Sequence, residues 1–153
     1  QVVEGAHGRA GEFGHIPVYN SKAPCGCGKK GCLEAEVGAK RLSERYSKFT
    51  GKKTSARQLI LDAQAGEVNA LSVLRWAGTH IGFALAAIAN ALNPDKVVIG
   101  GGIAEAGDAI VKPVEHALLV HTMPAMLEDL TVHKAALGND AGFVGAAIVS
   151  ARE

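Results

Sequence analysis

The sequence predicts an α/β domain, and three stretches carry that prediction. Leu71, Leu74, Gly78, Ile81, Leu85, Ile88 and Leu92 recur at alternating three- and four-residue steps, the period of one buried helix face. Pro94 ends that helix, and Lys96 to Ile99, an apolar β-branched run, follows as a strand that opens onto Gly100, Gly101 and Gly102. The pattern then repeats, with a helix from about Gly107 to Val120, in which Pro113 is tolerated only near the first turn, and a strand from Thr131 to Ala135.

The 153 residues suffice for one domain with its own core, and 48% hydrophobic against 20% charged is ordinary globular composition. Net charge is +1, and the pairs Lys29-Lys30 and Lys52-Lys53 are too small for a nucleic-acid footprint, so they read as solvated surface. The sequence opens with no charged and apolar leader, and its most continuous apolar stretch, Ile81 to Leu92, is too short for a membrane span. A soluble cytoplasmic protein is the expectation, a compartment that suits unpaired thiols holding a metal.

Taken in order, Gln1 to Val3 runs into the glycine-studded segment Glu4 to Gly11, which reads as the end of a hairpin whose first strand is not in this sequence. A turn is expected at Gly14-His15, then a short strand through Ile16 and Val18. From Cys32 the pattern becomes helical, with Leu33, Val37, Leu42, Tyr46 and Phe49 predicting one helix that ends near Thr50-Gly51. Ser55 caps the next helix, which carries Leu59, Ile60 and Ala63 and closes at Gly66. On the long helix, Gly78, Gly82 and Ala86 form a small-residue stripe suited to the close approach of another helix, either inside the domain or across a homodimer. A last helix from Gly142 to Ala151 has Asp140 as its cap.

The chemistry concentrates between Glu12 and Glu34. Cys25, Cys27 and Cys32 are the three cysteines of the chain, and His15 lies ten residues upstream of the first. Three thiols and an imidazole complete a tetrahedral ligand set for structural zinc, and Gly26, Gly28 and Gly31 allow the tight turns that would bring the sulfurs together. Three thiolates on one dication leave a net charge of about −1, which Lys22, Lys29 and Lys30 can offset. The alternative is a disulfide or buried apolar thiols. An odd count leaves one thiol over, and Cys25 with Cys27 could pair only through a strained ring.

The run Gly8 to Ile16, followed by Cys25-x-Cys27-Gly28-x-x-Gly31-Cys32-Leu33-Glu34, resembles the ROK family of bacterial sugar kinases and sugar-responsive repressors. Val97 to Ile103 and Leu137 to Ala147 continue the resemblance, which therefore covers essentially residues 1–153. It implies the carboxyl-terminal lobe of an actin-like (ribonuclease H-like) ATPase fold with a zinc loop over residues 15–32, and an amino-terminal lobe, with its phosphate-binding segment, that these residues do not include. The implied function is glucokinase-like, the phosphorylation of a hexose by ATP with Mg²⁺, by a protein that is usually dimeric.

By the same resemblance Glu12, His15 and Glu34 contact the sugar, and Gly100 to Gly102 lie beside the adenosine. A strand opening onto a glycine loop is also where α/β folds put ligands, although alone it is merely a tight turn. Without the resemblance Glu12 is a solvated loop charge and Glu34 a first-turn residue favoured by the helix dipole. No catalytic base is assigned here. The family's base is in the missing lobe, and Asn139-Asp140 belongs to the carboxyl-terminal loop. His7, His80, His116, His121 and His133 read as surface or ordinary packing. A ROK repressor, in which a DNA-binding element would precede the missing half, is the alternative function, and a lobe acting only as a dimerising module is a third.

Overall fold

The computed structural model describes residues 2–18 and 20–151, for Asn139 the backbone alone. Six α-helices and a two-stranded sheet follow the glycine-rich opening and the cysteine loop: α1 (Leu33–Val37), α2 (Ala39–Thr50), α3 (Ala56–Gln64), α4 (Val68–Leu92), β1 (Lys96–Ile99), α5 (Asp108–His121), β2 (Thr131–Lys134) and α6 (Ala141–Ser150). β1 and β2 are parallel, with Lys96 opposite Thr131 and Ile99 opposite Lys134, and α5 is the connection between them. A further bond from Ala135 N to Ile99 O at 2.8 Å extends the ladder by the residue that the sequence included in the strand. Along β1 the sides alternate, with Ile99 buried and Val98 exposed.

The core is where α2, α3, α4 and α5 meet: Leu42, Tyr46, Leu59, Leu74, Ile110 and Val114 are each 2% exposed or less. Helix α4 is long and apolar enough by length and composition to cross a bilayer, contrary to the sequence expectation, yet Ala70, Val73, Leu74 and Ala77 on it are buried in this core. Its most buried side is not the large-residue stripe. Leu92 is exposed, and Leu71, Ile81, Leu85 and Ile88 are half-buried, whereas Gly78, Gly82, Ala86 and Ala89 are buried. The cause is α5. A Cβ on Gly78 would lie 2.7 Å from Pro113 Cβ and one on Gly82 2.8 Å from Ala117 Cβ, so only glycines let the two helices approach this closely. The small-residue stripe thus packs inside the domain. Pro113 lies beyond the first turn of α5, with its ring over Gly78.

Two other expectations change. The helix predicted from Cys32 to Thr50 is two helices, broken at Gly38, whose ψ of 154° turns the chain out of α1 before Leu42 N bonds back to Gly38 O at 3.0 Å. Any side chain there would sit 2.6 Å from Glu34 O, so glycine is what allows the corner. The strand expected after His15 is reduced to isolated antiparallel bridges, Pro17 with Cys32 and Pro24 with Lys30, because two prolines remove ladder donors. The cap of α3 is as expected, Ser55 Oγ accepting from Gln58 N at 3.1 Å. Asp140 holds the cap position of α6 without a side-chain bond, and α6 has no buried residue among those described.

Candidate functional site

The site is built on a loop that doubles back on itself. Val18 N donates to Gly31 O at 2.7 Å and Leu33 N to Ile16 O at 2.9 Å, which closes residues 17–32 into a strap. At its waist Gly31 (φ +82°) has no room for a side chain, since a Cβ would be 2.7 Å from Ser21 O. At its tip Cys25 N bonds Lys29 O at 2.9 Å, turning Cys27 back toward the base of the strap. His15 closes a single 3-10 turn, Phe13–His15, on the other side.

The fold brings the four expected metal ligands together. One ligand atom from each of His15, Cys25, Cys27 and Cys32 lies within 4.8 Å of all the others. Cys27 Sγ is 3.7 Å from Cys32 Sγ, and Cys25 Sγ is 3.6 Å from His15 Nδ1. Tetrahedral zinc with Zn–S near 2.3 Å and Zn–N near 2.05 Å has S···S edges of about 3.8 Å and S···N edges of about 3.6 Å, so the donor set fits the ion in chemistry and these two pairs match its edges. The three cysteines are free thiols. Hydrogen bonding from the Lys29 backbone, with Cys25 next, holds the Cys27 thiol below its ordinary value, whereas burial pushes the buried Cys32 up to about 11. The sequence assigned stabilisation of the thiolates to lysine charges. At Cys27 the largest effect is instead a backbone one, and Lys22, Lys29 and Lys30 are exposed.

The expected sugar residues also converge. His15 Nε2 is 3.6 Å from Glu12 Oε2, and His15 Nδ1 is 3.9 Å from Glu34 Oε2. His15 therefore turns one ring nitrogen to the thiols and the other to Glu12. Both carboxylates are mostly exposed, which leaves their oxygens open to a ligand. Glu34 is placed by α1, and its Cβ would rest 3.4 Å from any side chain at Gly14.

The glycine triplet lies apart from this cluster. Gly101 (φ +74°) turns the chain from β1 into a 3-10 segment, Gly102–Ala106, and Gly100 to Gly102 form one wall of a cavity of about 820 Å³. Its other walls include Leu42, Leu59, Ile60 and Leu74, so it is mainly apolar, while Gln64 Nε2 donates to Glu105 O at 2.7 Å along the rim. Of the remaining histidines, His80 Nδ1 donates to Trp76 O at 2.8 Å under a ring contact with Trp76, and His121 meets Phe83 edge-on. These are packing, as expected.

Sequence reasoning missed two groups. Glu36 on α1 is buried, and Ser21 Oγ donates to its Oε1 at 2.5 Å. Tyr46 donates to Asp62 Oδ2 at 2.6 Å, with Glu67 Oε2 at 3.3 Å. The available signal for Glu36 was its spacing from Glu34: two residues apart, two carboxylates cannot share a helix face.

The chain belongs to the ROK family, whose sequence pattern matches residues 1–153. Among its relatives, the glucokinase of Halalkalibacterium halodurans is 39% identical over 161 residues, which covers 94% of this chain and 48% of that protein. The DNA-binding transcriptional repressor Mlc of Escherichia coli is 28% identical over 147 residues, covering 90% and 36%. A crystal structure of a ROK family glucokinase from Streptomyces griseus, in complex with glucose and AMPPNP, superposes with a TM-score of 0.86 at 25% identity, covering 97% of this chain and 54% of that one. The chain thus spans about half the length of the glucokinases it matches.

Proposed function

We propose that this chain is the carboxyl-terminal lobe of an ATP-dependent hexose kinase, in which Glu12, His15 and Glu34 hold the sugar and His15, Cys25, Cys27 and Cys32 hold a structural zinc ion. The observation that carries the reading is the double role of His15, whose ring has Cys25 Sγ 3.6 Å from one nitrogen and Glu12 3.6 Å from the other. Zinc with four protein ligands has no open position for water. What the ion supplies is a fixed loop and a fixed imidazole tautomer. Nε2 then keeps its proton and can donate to a sugar hydroxyl, while Glu12 and Glu34 accept from neighbouring hydroxyls through charge-assisted bonds. Glucose in the related glucokinase complex and the identity to the Halalkalibacterium halodurans glucokinase support a hexose and ATP.

In this reading Gly100 to Gly102 line the adenosine side of the nucleotide site, where the apolar cavity suits a base and a glycine backbone allows close approach. Phosphoryl transfer also needs Mg²⁺ across the β- and γ-phosphates and a base for the attacking hydroxyl. The reading puts both the phosphate loop and the base in a preceding lobe.

The second reading, the effector-binding lobe of a sugar-responsive repressor, is supported by the 28% identity to Mlc over 90% of this chain. It uses the same sugar and zinc residues. The test is made in the complete two-lobed protein, by sugar titration and a coupled ATP assay. Glu12→Ala and Glu34→Ala are each expected to weaken sugar binding by about tenfold or more, the loss of one charged hydrogen-bond partner, with zinc content unchanged. Variants that bind sugar like the parent overturn the site. Sugar binding without turnover, together with sugar-dependent DNA binding, selects the repressor.

A further inference from the structure

Glu36 is the only buried carboxylate among the described residues, 7% exposed, and neither the metal set nor the sugar cluster uses it. It sits two residues beyond Glu34 on α1, on the side away from His15. Its Oε1 accepts the 2.5 Å bond from Ser21 Oγ, and its Oε2 is 3.6 Å from Arg41 Nε. Ser21 is the waist of the cysteine strap. Its N donates to Val18 O at 3.1 Å, its Oγ accepts from Ala23 N at 3.2 Å, and its carbonyl lies against the backbone of Gly31. One side chain of α1 thus grips the strap that carries Cys25 and Cys27, while another side chain of the same five-residue helix belongs to the sugar cluster.

We propose that Glu36 is a positioning residue, which ties the cysteine strap to α1 through Ser21 and so sets metal retention and sugar affinity while touching neither metal nor sugar. The physical reason is cost. If the strap lifts, a buried carboxylate loses its hydroxyl donor and keeps only Arg41, so the closed arrangement is favoured. A strap that stays closed holds the thiols at their spacing and holds Glu34 in register with His15 and Glu12, which a second-layer partner of a metal site commonly does. The sugar half of this inference rests on the reading above, and the metal half does not.

The test measures zinc release to a chromogenic chelator from the complete protein, alongside sugar KM and kcat. Glu36→Ala and Ser21→Ala are expected to release zinc about tenfold faster or more, a loss on the scale of the affinity lost when groups supporting metal ligands are removed. Glu36→Gln, which keeps an acceptor for Ser21, should recover most of the parent rate. Sugar KM should rise in Glu36→Ala and Ser21→Ala with little change in kcat, a split that general unfolding does not produce. Ser21→Ala removes a single oxygen and keeps the test informative if Glu36→Ala does not fold. Parent-like zinc release in Ser21→Ala, or in every variant that folds, overturns the proposal, as does a parent that holds no zinc. A parent that binds zinc but no sugar sinks the functional reading alone, and the release rates still decide the role of Glu36.

Discussion

Cys27 and Tyr46 show how single side chains are set by what lies around them. Cys27 is an exposed thiol held below its ordinary pKa chiefly by the Lys29 backbone, in a cluster of four ligand atoms that all lie within 4.8 Å of one another. Purified protein is expected to contain about one equivalent of zinc, and Cys27→Ser to lose most of it with a clear drop in Tm, since metal binding free energy is folding free energy. Unchanged zinc content and Tm in that variant overturn the metal site. Tyr46 is 1% exposed and donates to Asp62; burial first, then that bond, raise its pKa. The same bond, followed by one from Gln58, lowers Asp62 below 3.8, and the Ala70 backbone N–H chiefly lowers Glu67 below 4.5. A depressed folded pKa gives stability that is fully present above the unfolded value and is lost as pH falls through the folded one. Stability should therefore fall on acidification below about pH 5, and Tyr46→Phe should make that fall shallower, as read by Tm against pH. An acid limb identical in parent and variant contradicts the coupling.

Two glycines decide how the elements meet. Gly38 divides the predicted helix into α1 and α2, and through that corner α1 is free to turn Glu34 toward His15 and Glu36 toward Ser21. Gly82 decides the distance between α4 and α5. Alanine there gains about 1 kcal/mol of helix propensity, but its Cβ would overlap Val114 O and lie 2.8 Å from Ala117 Cβ, and overpacking costs about 1–3 kcal/mol. The overlap with backbone leaves little room for relief, so the net expectation for Gly82→Ala is a loss of stability, seen as a lower urea midpoint. A midpoint raised above the parent's means that α4 and α5 do not pack on this glycine.

At the scale of the molecule, the chain covers about half of each glucokinase it matches, and the proposed function divides labour accordingly. In that proposal residues 1–153 supply the zinc strap, the sugar carboxylates and the apolar cavity at the glycine triplet, while positioning and charge stabilisation of the transferring phosphoryl are assigned to a preceding lobe. The 153-residue chain by itself is therefore expected to show no turnover in a coupled assay with ATP, Mg²⁺ and a hexose panel. Turnover at an ordinary kinase rate, about 1 s⁻¹ or more, places the base within this chain and overturns that division.

What the sequence determined alone was what local chemistry determines. Apolar runs, caps and prolines marked α3, α4, β1 and β2 to within a few residues, because hydrophobic period and turn chemistry act over short spans. Four residues of metal-ligating type within an eighteen-residue stretch could be seen as one candidate site because glycines fold the three cysteines into one strap beside His15. Tertiary structure decided the rest. The large residues of α4 looked like its core face, but the glycine stripe is more buried, since only contact with α5 shows which face needs the smaller side chains. Glu36 drew no reading from the sequence, and its burial follows from a strap fifteen residues upstream folding over it. Burial and partnership are properties of pairs of segments distant in sequence, and no local pattern encodes which pair will meet.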